Sequence, residues 1–264
     1  MMHDPNAWKM PWALMVSESI GTAVLLLIGL SVVIFMFGAG SPMARLVPSV
    51  VLRQAITGFL FGCVGASIAV SAVGKESGAH INPAVTLGFW LMQKLDARTA
   101  TAYVFAQLVG AIAGTLPLLA WGSMGRSVAF GAALPGEGYT MTRVLMGEAI
   151  TTFALIAGLC IFIGFRRLRP FTPLLMPFLY GAMVPLEAAV SGTSTNPARA
   201  FGPALVSGRW DGWWIYWAGP FIGTLAAIVV CSRLARRIEV AKLYHFESDR
   251  RRLRRDAAQS PASR

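Results

Sequence analysis

Two copies of the tripeptide Asn-Pro-Ala, Asn82-Pro83-Ala84 and Asn196-Pro197-Ala198, interrupt otherwise apolar stretches of the chain. Asn caps helix N-termini well and Pro is tolerated best at the first helical position, so each copy predicts the start of a helix. A helix that starts inside an apolar layer turns its unpaired N–H groups and its positive dipole end toward something polar. The pair therefore predicts a polar path where the two helices begin.

Charged side chains also lie within apolar stretches, among them Glu18, Glu148, Glu187 and Arg199. A charge in such surroundings costs several kcal/mol unless it is hydrogen-bonded. Glu18 and Glu148 occur in the similar segments E-S-I-G-T and E-A-I-T-T, which favours a structural role. A proton relay would need a chain of titratable partners, and only Glu187 is another candidate. Arg199 directly follows the second triplet, where the helix dipole disfavours a cation, so we expect a functional role rather than a snorkelling surface arginine.

The surrounding elements indicate a membrane protein. Of the 264 residues, 55% are hydrophobic and 13% are charged, against a charged share of about 25% in soluble domains. Two half-length apolar stretches, 83–92 and 197–206, follow the triplets. Six others are long enough to cross a bilayer, at 13–37, 50–72, 99–121, 143–165, 171–190 and 213–232. The predicted fold is all-α, with six transmembrane helices and two re-entrant half-helices.

The two halves of the chain repeat. Ser77–Gly88 matches Ser191–Gly202 at Ser, Gly, Asn, Pro, Ala and the last Gly, and Tyr103–Gly110 matches Tyr216–Gly223. Each copy holds three spans and a half-span, and an odd number of crossings inverts the second copy. We predict a cytoplasmic N-terminus (1–12), a first repeat (13–122), an extracellular connecting loop (123–142), a second, inverted repeat (143–232) and a basic cytoplasmic tail (233–264).

The net charge of +11 is unevenly distributed. By the positive-inside rule this asymmetry predicts that both termini are cytoplasmic in a multi-pass protein of the cell membrane. The arginine-rich tail is expected to lie near anionic lipid headgroups. No aromatic residue is interleaved with Arg250, Arg251, Arg252, Arg254 and Arg255, which argues against nucleic-acid binding. With this topology 17 of the 23 Lys and Arg residues fall on one side, namely Lys9, Lys75, Lys94, Arg98, Arg166, Arg167, Arg169 and all those from Arg233 onward.

The sequence offers no cofactor site and no catalytic constellation. His3, His80 and His245 are scattered, and no His and Cys residues stand at metal-ligand spacing, so we expect no metal or other cofactor. The three cysteines lie within predicted spans, which disfavours a disulfide framework. An intramembrane enzyme would need a nucleophile with a base, and neither a Ser-His pair nor His-Glu-x-x-His is present. We therefore expect a protein that is not an enzyme.

The two Asn-Pro-Ala motifs, the second within T-N-P-A-R-A-F-G-P-A, and the repeated Glu resemble the aquaporins of the major intrinsic protein family. The resemblance covers about residues 13 to 232. It implies six tilted helices with two re-entrant half-helices, a homotetramer, and passive transport of water or small neutral solutes. It also implies that Glu18 and Glu148 hold the re-entrant loops by accepting hydrogen bonds from their backbone.

The resemblance further implies a selectivity filter on the extracellular side. Arg199 matches the filter arginine, Thr193 the loop position, and Val184 the position on the fifth helix where many water-selective members have His. Counting without gaps places Gly62 at the second-helix position, but the Phe-Gly pair usual in the family favours Phe61. For Glu187, three residues after Val184, we expect hydrogen bonds from the 191–195 loop or from Arg199; the alternative is contact with headgroups or bulk water.

The expected permeant is water, with other small neutral solutes possible because Val184 leaves the filter wider and with one donor fewer. Ala200 and the pair Tyr216-Trp217 resemble the water-conducting branch rather than the glycerol-conducting one. Asn82 and Asn196 would donate to passing water where two positive dipole ends converge, which would repel cations. A glycerol facilitator is the alternative. A secondary transporter with broken helices is disfavoured because the triplets carry no ion-binding carboxylate.

Overall fold

The computed structural model describes residues 10–232, and every regular element within that range is helical. The predicted basic tail (233–264) and residues 1–9 of the predicted N-terminal segment lie outside the described residues. Short 3₁₀ segments cover Leu116–Trp121, Ala129–Gly131 and Arg169–Phe171. The α-helices, in chain order, are α1 (Trp12–Phe37), α2 (Met43–Leu46), α3 (Val50–Val70), α4 (Ala72–Ser77), α5 (Pro83–Leu91), α6 (Ala97–Thr115), α7 (Gly122–Arg126), α8 (Met141–Gly164), α9 (Thr172–Glu187), α10 (Pro197–Ser207) and α11 (Ile215–Val230).

Six of these helices are the predicted spans, and α5 and α10 are the predicted half-helices. By length and composition, α1, α3, α8 and the run Ala97–Arg126 can each cross a bilayer. The helices α9 and α11 have 16 residues each, which gives about 24 Å at 1.5 Å per residue, short of the hydrocarbon thickness of about 30 Å. The 3₁₀ turn Arg169–Phe171 lengthens α9 at its start. The all-α fold with six spans and two half-helices is thus confirmed.

Glycines set the distance between the paired spans of each repeat. Helix α6 packs on α1, and α11 packs on α8. A Cβ at Gly110 of α6 would collide with the backbone oxygen of Ser19, and a Cβ at Gly223 of α11 with that of Ala149. The two contacts are equivalent in the two repeats. Membrane helices gain much of their association energy from such close backbone approach, so these positions require glycine.

Helices α3 and α9 pack against each other where the two repeats meet. Gly58 and Gly62 of α3 face the α9 backbone, because a Cβ at Gly58 would meet the carbonyl of Tyr180 and one at Gly62 would meet that of Met176. The close packing of α3 and α9 brings Phe61 and Tyr180 together in the space between the repeats.

Each half-helix packs on a helix of the other repeat as well as its own. Helix α5 contacts α11 and α6, while α10 contacts chiefly α6. Gly202 of α10 lies against Thr115 and the carbonyl of Ala111, and Thr224 of α11 donates to the carbonyl of Ala84 at 3.4 Å. The half-helices therefore hold the two repeats together, and their starting ends are placed by both.

Two apolar clusters flank the space between the repeats. Phe61 packs against the α1 cluster and Tyr180 against the α8 cluster, both only partly buried. The α1 cluster comprises Leu25, Leu26, Leu30, Ile34, Ile68, Ile81, Ala111, Leu118, Phe130 and Ala198. The α8 cluster comprises Val85, Leu155, Ile156, Cys160, Ile163, Ala227 and Cys231.

Candidate functional site: the meeting point of the half-helices

The two asparagines cap the half-helices that follow them. Asn82 Oδ1 accepts from the N–H of Ala84 at 2.8 Å, and Asn196 Oδ1 accepts from the N–H groups of Ala198 at 3.0 Å and Arg199 at 3.3 Å. Pro83 and Pro197 occupy the first helical positions, where a missing N–H costs nothing. Both helices therefore begin at the predicted residues, inside the protein, since each Asn is 4% exposed.

The same asparagines tie the two loops to each other. Asn82 Nδ2 donates to the carbonyl oxygen of Thr195 at 3.0 Å, and Asn196 Nδ2 donates to that of Ile81 at 2.9 Å. A side-chain amide has two N–H donors, and among the described residues nothing accepts the second one of either Asn. Two positive helix ends, each equivalent to about half an elementary charge, thus meet with one spare donor apiece.

The loops before the asparagines share one unusual backbone conformation. Gly78 and Gly192 have φ of 90° and 83°, Ala79 and Thr193 have 50° and 51°, and Ile81 and Thr195 have 42° and 53°. Left-handed conformations at residues other than Gly cost of order 1–3 kcal/mol each and persist where the surroundings over-determine them.

Glu18 holds the first loop in this conformation by accepting hydrogen bonds. Its Oε1 accepts from Ser77 Oγ at 2.7 Å and from the N–H of His80 at 2.9 Å. Its Oε2 accepts from the N–H of Ile81 and from Gln107 Nε2, both at 2.7 Å. With four donors on a fully buried carboxylate, the charge is satisfied and the loop is held in its strained form.

Glu148 repeats the arrangement in the second loop. Its Oε1 accepts from Ser191 Oγ at 2.5 Å and from the N–H of Ser194 at 2.7 Å, and its Oε2 accepts from the N–H of Thr195 at 2.8 Å. In the second repeat, Pro220 stands at the position that Gln107 has in the first, four residues after the matched Tyr. Proline has no side-chain donor. Glu148 therefore holds its loop with three donors where Glu18 has four.

Two tyrosines also support the loops, and the sequence analysis did not identify them as site residues. Tyr103 OH donates to the carbonyl of Ser77 at 2.8 Å, and Tyr216 OH donates to that of Ser191 at 3.0 Å. The sequence signal for these two tyrosines is the match of Tyr103–Gly110 to Tyr216–Gly223, together with the paired Ser77 and Ser191. What was missing was the knowledge that α6 and α11 bring these hydroxyls against the loops.

Of the residues expected to form the filter, Arg199 and Thr193 are buried. Arg199 is 7% exposed and Thr193 is 4% exposed. Arg199 Nη1 and Thr193 Oγ1 are buried, and within residues 10–232 neither has a hydrogen-bond partner. Val184 lies opposite Gly58, because a Cβ added at Gly58 would sit 2.9 Å from Val184 Cγ2.

Phe61 lies at a different level from Val184. Its ring faces that of Tyr180, one helical turn before Val184 on α9, with a centroid distance of 6.2 Å. A side chain at Gly62 would point into the α9 backbone at Met176 and Pro177. Of the two alternatives for α3, Phe61 is thus the one whose side chain lines the space between the repeats.

Glu187 is buried at the end of α9. It is 7% exposed and packs against Gly147 of α8. The side chains of Ser191 and Thr193 lie near its carboxylate, but no described donor, Arg199 included, reaches either oxygen with hydrogen-bond geometry. Glu187 therefore borders the second loop without the bonds that Glu148 makes.

A cavity of about 120 Å³ runs from the two asparagines toward the C-terminal ends of α3 and α8. Its walls are mainly apolar, as in Leu25, Phe89 and Leu155, with polar groups from few residues, including Asn82 and Asn196. An apolar wall with a few placed donors and acceptors lets a small polar molecule pass without binding it tightly. The remaining lining includes Phe61, His80, Thr172, Tyr180 and Ser194.

Comparison with known proteins agrees with this geometry. The lens fiber major intrinsic protein of Gallus gallus is 31% identical over 255 residues, which cover 88% of this chain and 87% of that protein. Aquaporin TIP4-4 of Zea mays is 40% identical over 166 residues, covering 62% and 65%, so the match spans less than two thirds of that relative. Aquaporin AqpM of Methanothermobacter marburgensis is 33% identical over 180 residues, covering 64% and 72%.

The fold also has a solved counterpart. The aquaglyceroporin from Plasmodium falciparum superposes with a TM-score of 0.66 at 20% identity, over 85% of this chain and 96% of that one. At this identity the likeness shows the fold alone. The sequence profile described as "Major intrinsic protein" matches residues 6–231, nearly the whole chain. The profile match and these relatives show that the chain belongs to the major intrinsic protein family.

Proposed function

We propose that this protein is a passive channel for water that also admits other small neutral solutes to a lesser extent. The observation that carries the proposal is the tip-to-tip meeting of α5 and α10, where Asn82 and Asn196 each keep one amide N–H unused by the described residues. These donors suit a water oxygen, and they stand at the edge of an apolar-walled cavity.

Exclusion of ions follows from the same charges. Two positive helix ends and the buried Arg199 repel a hydronium or sodium ion. Glu18 and Glu148 do not offer ligands to a cation at the pore, because their oxygens already accept hydrogen bonds. An ion-coupled transporter would need exposed carboxylates or other cation ligands there.

The filter is proposed to comprise Arg199, Thr193 and Val184, with Phe61 further in. The support is the buried, unpaired Nη1 of Arg199 and its proximity in the chain to Thr193. We assign Glu187 the role of a second support for this loop, through the nearby hydroxyl of Thr193, which has no partner within residues 10–232. A glycerol facilitator is the second candidate. Val184 favours it, because an apolar side chain leaves the filter without a ring at the position on the fifth helix.

The assembly is proposed to be a homotetramer in the cell membrane with both termini cytoplasmic. The uneven distribution of Lys and Arg supports the orientation, and the many exposed apolar side chains of the spans support contact with lipid and with other copies. Size-exclusion chromatography with light scattering on the detergent-solubilised protein tests the assembly.

The proposed function is tested by stopped-flow light scattering on proteoliposomes under water, glycerol and urea gradients. We expect water flux that is linear in the gradient with a low activation energy, and smaller fluxes of the two solutes. Water flux no greater than that of empty liposomes would refute the channel. Saturable flux with a steep temperature dependence would indicate a carrier instead.

A further inference from the structure

Tyr180 is a pore-facing residue for which the sequence predicts no role. It lies on α9, one helical turn before Val184, and its side chain lines the cavity beside Asn196. The phenol oxygen lies 2.6 Å from Thr195 Oγ1. Thr195 immediately precedes Asn196, so this contact joins α9 to the loop that carries the second half-helix.

The direction of this hydrogen bond follows from the neighbouring one. Thr195 Oγ1 donates its proton to the carbonyl oxygen of Ser194 at 2.7 Å. A hydroxyl has a single proton to donate, so Tyr180 OH is the donor and Thr195 Oγ1 the acceptor. The tyrosine ring is thereby tethered, since both its helix and its hydroxyl end are held.

Phe61 faces Tyr180 from the other repeat. Phe61 packs on the α1 cluster and over Gly29, while Tyr180 packs on the α8 cluster. The two rings are tilted by 37° with a centroid distance of 6.2 Å. Both belong to the wall of the same cavity, and at this distance the two rings are in contact, so they form one aromatic part of that wall close to the asparagines.

We propose that the Phe61–Tyr180 pair is the size-selecting constriction of this channel and that it slows polyols such as glycerol relative to water. Val184 replaces a ring at the outer filter with a small aliphatic group, and Tyr180 supplies a ring and a hydroxyl one turn further in. The tether to Thr195 keeps this ring from swinging aside. The inference rests on the proposed channel function and names the residues that decide its substrate class.

The test compares the glycerol-to-water flux ratio of purified variants in proteoliposomes. Tyr180→Ala removes the ring, and we expect the ratio to rise about tenfold or more, the scale on which a pocket discriminates by shape. Tyr180→Phe keeps the ring without the tether, so its ratio should lie between those of the wild type and Tyr180→Ala. Val184→Ala should raise the ratio less than Tyr180→Ala does.

Phe178→Ala is the matched control, because Phe178 lies on the same helix and is 66% exposed on its outer surface. This variant should match the wild type. An unchanged ratio in Tyr180→Ala, or a larger rise in Val184→Ala, would overturn the constriction. A ratio in Tyr180→Phe equal to that of the wild type would overturn the role of the tether.

Folding is checked by size-exclusion chromatography before each flux measurement. If Tyr180→Ala does not fold, Phe61→Leu opens the pair from the opposite side and carries the same expectation. Failure of the proposed function has a different signature: the wild type itself would then show no water flux above that of empty liposomes.

Discussion

Replacement of Glu148 tests whether a buried carboxylate builds the second loop. In Glu148→Leu, the hydroxyl of Ser191 and the N–H groups of Ser194 and Thr195 lose their acceptor. A buried donor left unpaired costs about 1–3 kcal/mol, so three give roughly 3–9 kcal/mol. Relief from burying a charge offsets several kcal/mol of this. The net effect is a loss of a few kcal/mol, concentrated in a loop that already holds left-handed residues.

Glu148→Gln separates charge from hydrogen bonding. The amide keeps one oxygen for Ser191 and Ser194, but its NH₂ group faces the N–H of Thr195. That N–H then loses its acceptor at a cost of about 1–3 kcal/mol, and the NH₂ group opposes it donor against donor. We expect the thermal stability to follow the order wild type, Gln, Leu. The Gln variant should retain measurable water flux, whereas the Leu variant should lose most of its folded protein or its flux.

The assay is thermal unfolding followed by size-exclusion chromatography, together with water flux in proteoliposomes. Glu76→Gln is the control, because Glu76 is exposed on α4 and lies in the first repeat, away from the loop that Glu148 holds. A Leu variant with wild-type stability and flux would refute the role assigned to Glu148. Equal losses in the control would show that the assay reports charge rather than loop support.

Replacements at three further residues probe the pore. Arg199→Val should raise glycerol and proton leak without loss of assembly, because it removes a pore charge; unchanged leak in proteoliposomes would contradict its place in the filter. Asn196→Leu should lower water flux sharply and cost about 1 kcal/mol of stability through the lost cap; normal flux in folded protein would oppose the pore assignment. Glu187→Gln should behave as wild type and Glu187→Leu should lower flux or yield, and a wild-type Leu variant would remove Glu187 from the loop supports.

Much of the architecture follows from local sequence. Apolar length predicts the spans, and Asn followed by Pro predicts the start of each half-helix, because capping and helix geometry depend on residues only a few positions apart. The inverted arrangement follows from the repeat and from counting the crossings. The equivalence of Glu18 and Glu148 also follows from the repeat, since the same residue in two matching segments predicts the same role in both.

The tertiary structure alone decided which side chains face each other. Counting residues pointed to Gly62 and the family resemblance to Phe61, and only the packing of α3 on α9 shows that Phe61 faces Tyr180 while Gly62 lies against the α9 backbone. The same holds for Tyr103 and Tyr216, whose hydroxyls reach the loops only once α6 and α11 pack on their partners. A rotation or shift of one span against another changes no local propensity, so it is determined by contacts between distant residues.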